Sequence, residues 1–282
     1  MDLKRKLAAG DRPVGGWCSY PSPGVAEALA GTSFDFLTID TEHAPTTTES
    51  VENLIRAVEA APGDTDALVR VAENDPTRVK HVLDAGAAGV MAPQVNDADV
   101  ARELVRAARY PPQGDSADGE PGTGVDADGV RGRRGVAGTR ATDYGARIDE
   151  YVATANDEIA VIAQIETPRA VDAAAEIGGV PGIDALFVGP ADLSAALGCF
   201  RDYADPAFRD CIERTVVAAE QAGVPVGTLA TSDERIDAWL ADGFDFLIVG
   251  TDAGYLRAGA TASIERYERK IGEIGENEEL QS

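Results

Sequence analysis

Only two histidines occur in the 282-residue chain, and one of them, His43, closes the run LTIDTEH behind two acids, Asp40 and Glu42. An imidazole changes charge near neutral pH, so His43 is a candidate general base whose ring Asp40 can orient. Further on, QIETP carries Gln164 and Glu166, and VGPADLS carries Asp192. Two carboxylates at the ends of neighbouring strands repel unless a proton or a cation lies between them. An all-oxygen set suits a hard ion such as Mg²⁺ or Mn²⁺. Taken singly, Glu166 and Asp192 could each cap a helix; taken together, they read better as metal ligands. Arg70 ends the apolar run ALVR, and a guanidinium there needs an anion, either a structural acid or a substrate oxyanion. In VGPADLS the backbone N–H groups, where a strand gives way to a short helix, offer a cradle for a carboxylate or phosphate.

Schiff-base chemistry needs a desolvated lysine. The four lysines, Lys4, Lys6, Lys80 and Lys270, fall near the termini or on a predicted helix. Metal stabilisation of an enolate is then the remaining route to aldol chemistry. His81 lies within TRVKHVLDAG on that helix, away from any acid at a strand end, and takes no role.

These residues must be positioned by something regular. Short apolar runs recur along the chain: VGGWCS from 14, FDFLTI from 34, DALVRV from 66, AGVMAP from 88, IAVIAQI from 159, DALFVG from 184, VPVGTL from 224 and FDFLIVG from 244. Between them lie stretches with apolar residues every three or four positions and a closing glycine, such as 46–61, 75–86 and 205–223. Strands alternating with helices imply right-handed βαβ units, and eight such units favour a closed (β/α)8 TIM barrel over a doubly wound sheet. In such a barrel the strand ends share one mouth, to which the second, third, fifth and sixth strands bring the polar residues. The ends of the fourth, seventh and eighth strands, MAPQV, GTLAT and VGTD, carry no strong chemical group. A weak echo links FDFLTIDTE, FDFLIVGTD and IDALFVG, which similar packing demands can produce. The Gly- and acid-rich stretch 113–129 breaks the rhythm and reads as a long solvated loop. One barrel domain over 1–274 and a frayed acidic tail over 275–282 are expected.

Composition narrows the partners. A formal net charge of −24, with 49 acidic against 25 basic residues, repels nucleic acid and anionic membrane surfaces. The 44% of hydrophobic residues is enough for a core, so the charge belongs to the surface. Acid-rich, lysine-poor surfaces resemble those of proteins from salt-loving cytoplasms, where salt screens self-repulsion. Cys18, Cys199 and Cys211 are odd in number and lack CxxC spacing, so neither a disulfide framework nor a zinc cluster is indicated and a reduced, cytoplasmic setting is expected. No run reaches the roughly 18 apolar residues of a membrane span.

The segments FDFLTIDTEHAP, VRVAENDP, ARYPPQG, QIETPRAV and LFVGPADLSAALG resemble, in order and spacing, the HpcH/HpaI family of class II pyruvate aldolases, over residues 15 to 257. The resemblance implies a TIM barrel, assembled as a homo-oligomer (hexamer or trimer), that cleaves 2-keto-3-deoxy or 4-hydroxy-2-oxo acids to pyruvate and an aldehyde with a divalent cation, Mg²⁺, Mn²⁺ or Co²⁺. It implies Glu166 and Asp192 as metal ligands, His43 with Asp40 as the catalytic dyad, and Glu42 on metal-bound water. Arg70, Gln164 and the backbone of Ala191 and Asp192 would hold pyruvate, and Trp17 joins this substrate-binding set. Two departures stand out. Residues from about 115 to 133 are inserted before RGVAGTRATDYG, and Thr41 stands where relatives commonly have glycine. An acyl-CoA lyase resembling the citrate lyase β-subunit and a non-catalytic pyruvate-binding barrel are the alternatives.

Overall fold

A computed structural model describes residues 2–111 and 130–279; the predicted loop at 113–129 lies outside them. A short helix, α1 (Leu3–Ala9), leads into β1 (Val14–Cys18), followed by α2 (Pro23–Ala30), β2 (Phe36–Asp40), α3 (Thr48–Ala60), β3 (Asp66–Arg70), α4 (Pro76–Asp84), β4 (Gly89–Ala92) and α5 (Ala98–Ala108). After a 3₁₀ segment at Arg140–Gly145 come α6 (Ile148–Glu158), β5 (Ala160–Ile165), α7 (Pro168–Asp172), α8 (Ala174–Gly178), β6 (Ala185–Val188) and α9 (Pro190–Ala196). The chain ends with α10 (Pro206–Ala222), β7 (Val226–Leu229), α11 (Asp233–Ala241), β8 (Phe246–Thr251) and α12 (Asp252–Glu279).

All strand pairs are parallel, each with its neighbour in sequence, and β8 returns to β1 to close the barrel. The eight apolar runs thus become the eight strands. They were visible because a parallel strand is covered on both faces and needs apolar residues on each. Alternate residues divide between two cores. Leu37, Ile39, Val69, Val90 and Val161 pack outward against the helices. Phe36, Leu68, Met91, Ile162, Phe187, Phe246 and Ile248 fill the barrel, with Leu3 and Leu7 of α1 in the same cluster. Gly15 and Gly227 are required inside, because a Cβ at either would collide with the ring of Phe36 or Phe246.

The helices start where their caps dictate. Asp75 and Asp205 accept first-turn N–H groups ahead of Pro76 and Pro206, and Thr47 and Ser50 form a reciprocal capping box on α3. Gly223, at φ 72°, ends α10 in the left-handed region that glycine enters freely.

The repeated aspartate has a physical cause. Asp35, Asp184 and Asp245 each precede a strand and accept the N–H of a residue starting the neighbouring strand: Val14 at 2.7 Å, Val161 at 2.8 Å and Val226 at 2.9 Å. Asp66 likewise accepts from Asp2 and Leu3, both at 2.6 Å, which seats α1 on the amino-terminal end of the barrel. These acids therefore hold the end away from the mouth. At the other terminus, α12 continues to Glu279, so the expected boundary at 274 falls inside a helix. Glutamates form helix well, and that stretch extends it instead of ending it.

Candidate active site

The mouth is built from the ends of β1 to β6. Asp40 and Arg70 are the last residues of β2 and β3 and lie directly opposite in the ladder. Arg70 donates through Nε to Asp40 Oδ1 at 3.0 Å and through Nη2 to Oδ2 at 2.9 Å. Both are buried, with 2% and 6% of their surfaces exposed. Such a forked pair satisfies a charge that could not otherwise leave water. The guanidinium also lies 4.6 Å from the ring centre of Trp17 on β1, and Trp17 in turn packs on Phe187 at 6.4 Å between ring centres.

Asp40 is therefore committed to Arg70. Its Oδ1 also accepts the backbone N–H of Glu42 at 3.0 Å and of His43 at 3.4 Å, which shapes the turn after β2. The sequence reading paired its carboxylate with the His43 ring. Instead, Asp40 holds the turn that carries the histidine, and the acid nearest the imidazole is Glu42, with Oε1 3.7 Å from Nε2. The imidazole stands 67% exposed at the rim, open to a substrate proton or to water.

Glu42 Oε2 lies 3.0 Å from Arg70 Nη1 but out of line for a hydrogen bond, leaving that buried oxygen without a donor. Burial pushes the Glu42 carboxyl above its ordinary range; Arg70 and His43 oppose the rise, and Asp40 and Asp192 add to it. Thr41 donates both its N–H, at 3.0 Å, and its hydroxyl, at 2.7 Å, to the Arg70 carbonyl. Thr41 thus clasps the ends of β2 and β3 together.

Across the mouth, Glu166 follows β5 and is 2% exposed. Its Oε1 accepts the Gln94 N–H at 2.8 Å, and its Oε2 accepts from Gln164 Nε2. Gly189 makes room for this pair, since a Cβ there would come within 2.8 Å of Gln164 Nε2 and 3.2 Å of Glu166 Oε2. Burial raises the Glu166 carboxyl; the Gln94 N–H opposes that, and the charges of Asp192 and Glu42 push it further up. Asp192 lies exposed in the first turn of α9, next to Ala191. The Gly189 cap of that helix supplies no side-chain acceptor to its first amides.

Around the mouth four acids, Asp40, Glu42, Glu166 and Asp192, surround one arginine. Glu166 feels the charges of Asp192, Glu42 and Arg70 together. Gln164 Oε1 is buried without a donor. Excess carboxylate and an unsatisfied amide oxygen are what a hard cation would neutralise, so this donor set fits one. Among the described residues no group of three or more His, Cys, Asp or Glu side chains is arranged to hold a metal ion.

Two contributors escaped sequence reasoning. Asp252, directly after β8, is 1% exposed and accepts the N–H groups of Ser19 and Tyr20 at 2.8 and 2.7 Å. It ties down the turn after Trp17; its place at a strand end was the available signal. Gln94 acts through its backbone N–H, for which residue type gives no signal.

A closed barrel with acids and one buried arginine gathered at its carboxyl mouth is the architecture of a (β/α)8 enzyme. Residues 14–258 match the model described as HpcH/HpaI aldolase/citrate lyase, and the chain belongs to that family. It is 38% identical over 94% of its length to a hydroxypyruvate/pyruvate aldolase of Delftia acidovorans, covering 91% of that protein. It is 37% identical to a 4-hydroxy-2-oxo-heptane-1,7-dioate aldolase of Escherichia coli, covering 94% of each chain. A solved HpcH/HpaI aldolase/citrate lyase family protein from Burkholderia cenocepacia superposes with a TM-score of 0.86 at 37% identity, over 95% of this chain and 99% of that one.

Proposed function

We propose that this chain is a carbon–carbon lyase that cleaves a 4-hydroxy-2-oxo acid, or a 2-keto-3-deoxy sugar acid, to pyruvate and an aldehyde. Aldolase names shared by relatives at 37–38% identity support it. What supports it most directly is the buried Asp40–Arg70 ion pair at the same mouth as Glu166, whose carboxyl feels the charges of both Arg70 and Asp192.

Arg70, braced by Asp40, donates to the substrate's keto and carboxylate oxygens and stabilises the negative charge that grows there. Gln164 and the first amides of α9 at Ala191 and Asp192 orient the same end, and Trp17 lines it. His43, at the open rim, accepts the proton of the C4 hydroxyl, directly or through water. The C3–C4 bond breaks, its electron pair passes into the enolate, and the aldehyde departs. A proton returned to C3 completes pyruvate. Glu42, between His43 and Arg70, holds water at the mouth. A divalent cation held by Glu166 and Asp192, Mg²⁺, Mn²⁺ or Co²⁺, would supply Lewis-acid stabilisation of the enolate.

The acyl-CoA lyase reading needs a basic surface for a polyanionic carrier, against a chain of net charge −24. A pyruvate-binding barrel without turnover would have no use for His43. Screening pyruvate release from a panel of 2-oxo acids and acyl-CoA thioesters, with His43→Ala alongside, tests the assignment. Release from oxo acids that falls by about two to four orders of magnitude in the variant supports it. Thioester turnover, or unchanged oxo-acid turnover in the variant, refutes it.

Assembly as a homo-oligomer, a hexamer or trimer, belongs to the same reading. It is supported by Leu256, Ile264, Tyr267 and Ile271 of α12, all more than half exposed. Among the described residues no helix is long and apolar enough to cross a membrane. A reduced, cytoplasmic and salt-rich setting accords with the free thiols of Cys18, Cys199 and Cys211 and with the acid excess.

A further inference from the structure

Gln94 is one of few non-glycine residues in the left-handed region, at φ 56°. Such a conformation costs free energy, and it persists only where the surroundings enforce it. The enforcement is visible. Asn96 Nδ2 donates to the Gln94 carbonyl at 3.1 Å, and Asn96 Oδ1 accepts the hydroxyl of Thr167. Thr167 is in turn the cap of α7, accepting the Ala170 N–H at 3.1 Å. The two loops are joined a second time by the Arg169–Asp97 ion pair at 2.6 Å. The strained turn after β4 is thereby tied to the loop after β5, the loop that bears Glu166.

The product of that arrangement is one hydrogen bond, from the Gln94 N–H to Glu166 Oε1. With Gln164 on Oε2 and Gly189 clearing the space beside it, each carboxylate oxygen receives one donor and the group has one orientation. In the right-handed or extended regions the Gln94 N–H would point elsewhere. Oε1 would then lose its donor while buried.

We propose that Asn96, held by Thr167, is a positioning residue that keeps Gln94 in its left-handed turn so that Glu166 is fixed as a cation ligand. The cation part rests on the reading given under Proposed function; the turn itself does not. Asn96 touches no reacting atom. It acts on Glu166 through a peptide group, as the partners of metal ligands do when they lock a ligand's orientation, a role whose loss typically lowers metal affinity about 10- to 100-fold.

The test compares wild type with Asn96→Ala, Asn96→Asp, Thr167→Val and Thr167→Ser. Mn²⁺ affinity is measured by calorimetric titration of the full chain without substrate, and hydrogen–deuterium exchange is followed in peptides spanning 93–96. Asn96→Asp keeps the acceptor for Thr167 but loses the donor to Gln94, and Thr167→Ser keeps the hydroxyl. The proposal expects Asn96→Ala, Asn96→Asp and Thr167→Val to weaken Mn²⁺ binding about tenfold or more and to speed exchange at 93–96; the two Asn96 variants should keep the unfolding midpoint of the barrel near wild type, whereas Thr167→Val also loses the cap of α7, at about 0.5–2 kcal/mol. Thr167→Ser should restore both readouts. Wild-type Mn²⁺ affinity with unchanged exchange in Asn96→Asp overturns it. If wild type itself binds no Mn²⁺, the cation reading fails, and exchange alone decides: faster exchange in Asn96→Asp retains the turn-holding role, and unchanged exchange ends it.

Discussion

Removing the Asp40 carboxylate separates two accounts of what that acid does. Asp40 and Arg70 are buried and joined by two charged hydrogen bonds of 3.0 and 2.9 Å. In Asp40→Ala the guanidinium keeps only the Trp17 face at 4.6 Å and a Glu42 oxygen that is out of hydrogen-bonding line. A cation–π contact contributes about 0.5–2 kcal/mol, whereas breaking a buried ion pair costs about 3–5 kcal/mol. The variant should therefore lose about 3 kcal/mol, a fall in Tm of roughly 10 °C at about 2–4 °C per kcal/mol for a chain near this size. The decisive assay is a pair of double-mutant cycles read by urea unfolding. Asp40→Ala combined with Arg70→Met should show a coupling of about 2–3 kcal/mol, since the double variant removes both partners of that pair and leaves neither facing the other's empty place. Asp40→Ala combined with His43→Ala should be additive within about 0.5 kcal/mol, because no side-chain bond joins them. Negligible coupling to Arg70, or strong coupling to His43, would refute the pairing described here.

Two further outcomes follow from the same mouth. Thr41→Gly removes the hydroxyl bond to the Arg70 carbonyl and adds backbone freedom. It should cost about 1–2 kcal/mol in urea unfolding, with most recovered in Thr41→Ser, and an unchanged midpoint would contradict the clasp. The second concerns pH. Glu166 is held above the ordinary carboxylate range in the folded chain by burial first. Between the ordinary and the raised value the folded protein therefore holds a proton that the unfolded chain has released. By linkage, that group's contribution to stability is full at pH below the ordinary range and declines as pH rises through the folded value. In cation-free protein the stability difference between Glu166→Gln and wild type should move in favour of the variant across that window, measured by urea unfolding at stepped pH. A difference that does not change with pH would contradict the burial argument.

The strands were legible because parallel strands covered on both sides must be apolar throughout, and the place of the rim residues because polar groups at the ends of such runs fall at the mouth of a barrel. The Asp35, Asp184 and Asp245 echo was legible as a pattern, but its cause was not, since the accepted N–H groups belong to other strands. Proximity in the sequence suggests His43 as the side-chain partner of Asp40. His43 is close along the chain, yet the ladder register sets Arg70 directly opposite, 30 residues away, and register between strands leaves no trace in local spacing. Gln94 escaped for a related reason: the working group is a peptide N–H, and only the left-handed backbone, absent from the letters, aims it at Glu166.

Whether Glu166 holds a catalytic cation is decided by pyruvate release from a 4-hydroxy-2-oxo acid after exhaustive chelation and again after adding Mg²⁺, Mn²⁺ or Co²⁺, with Glu166→Gln in parallel. Release should stop on chelation, return with the ion in wild type and not return in the variant. Full release in excess chelator, or equal recovery in Glu166→Gln, would contradict that role.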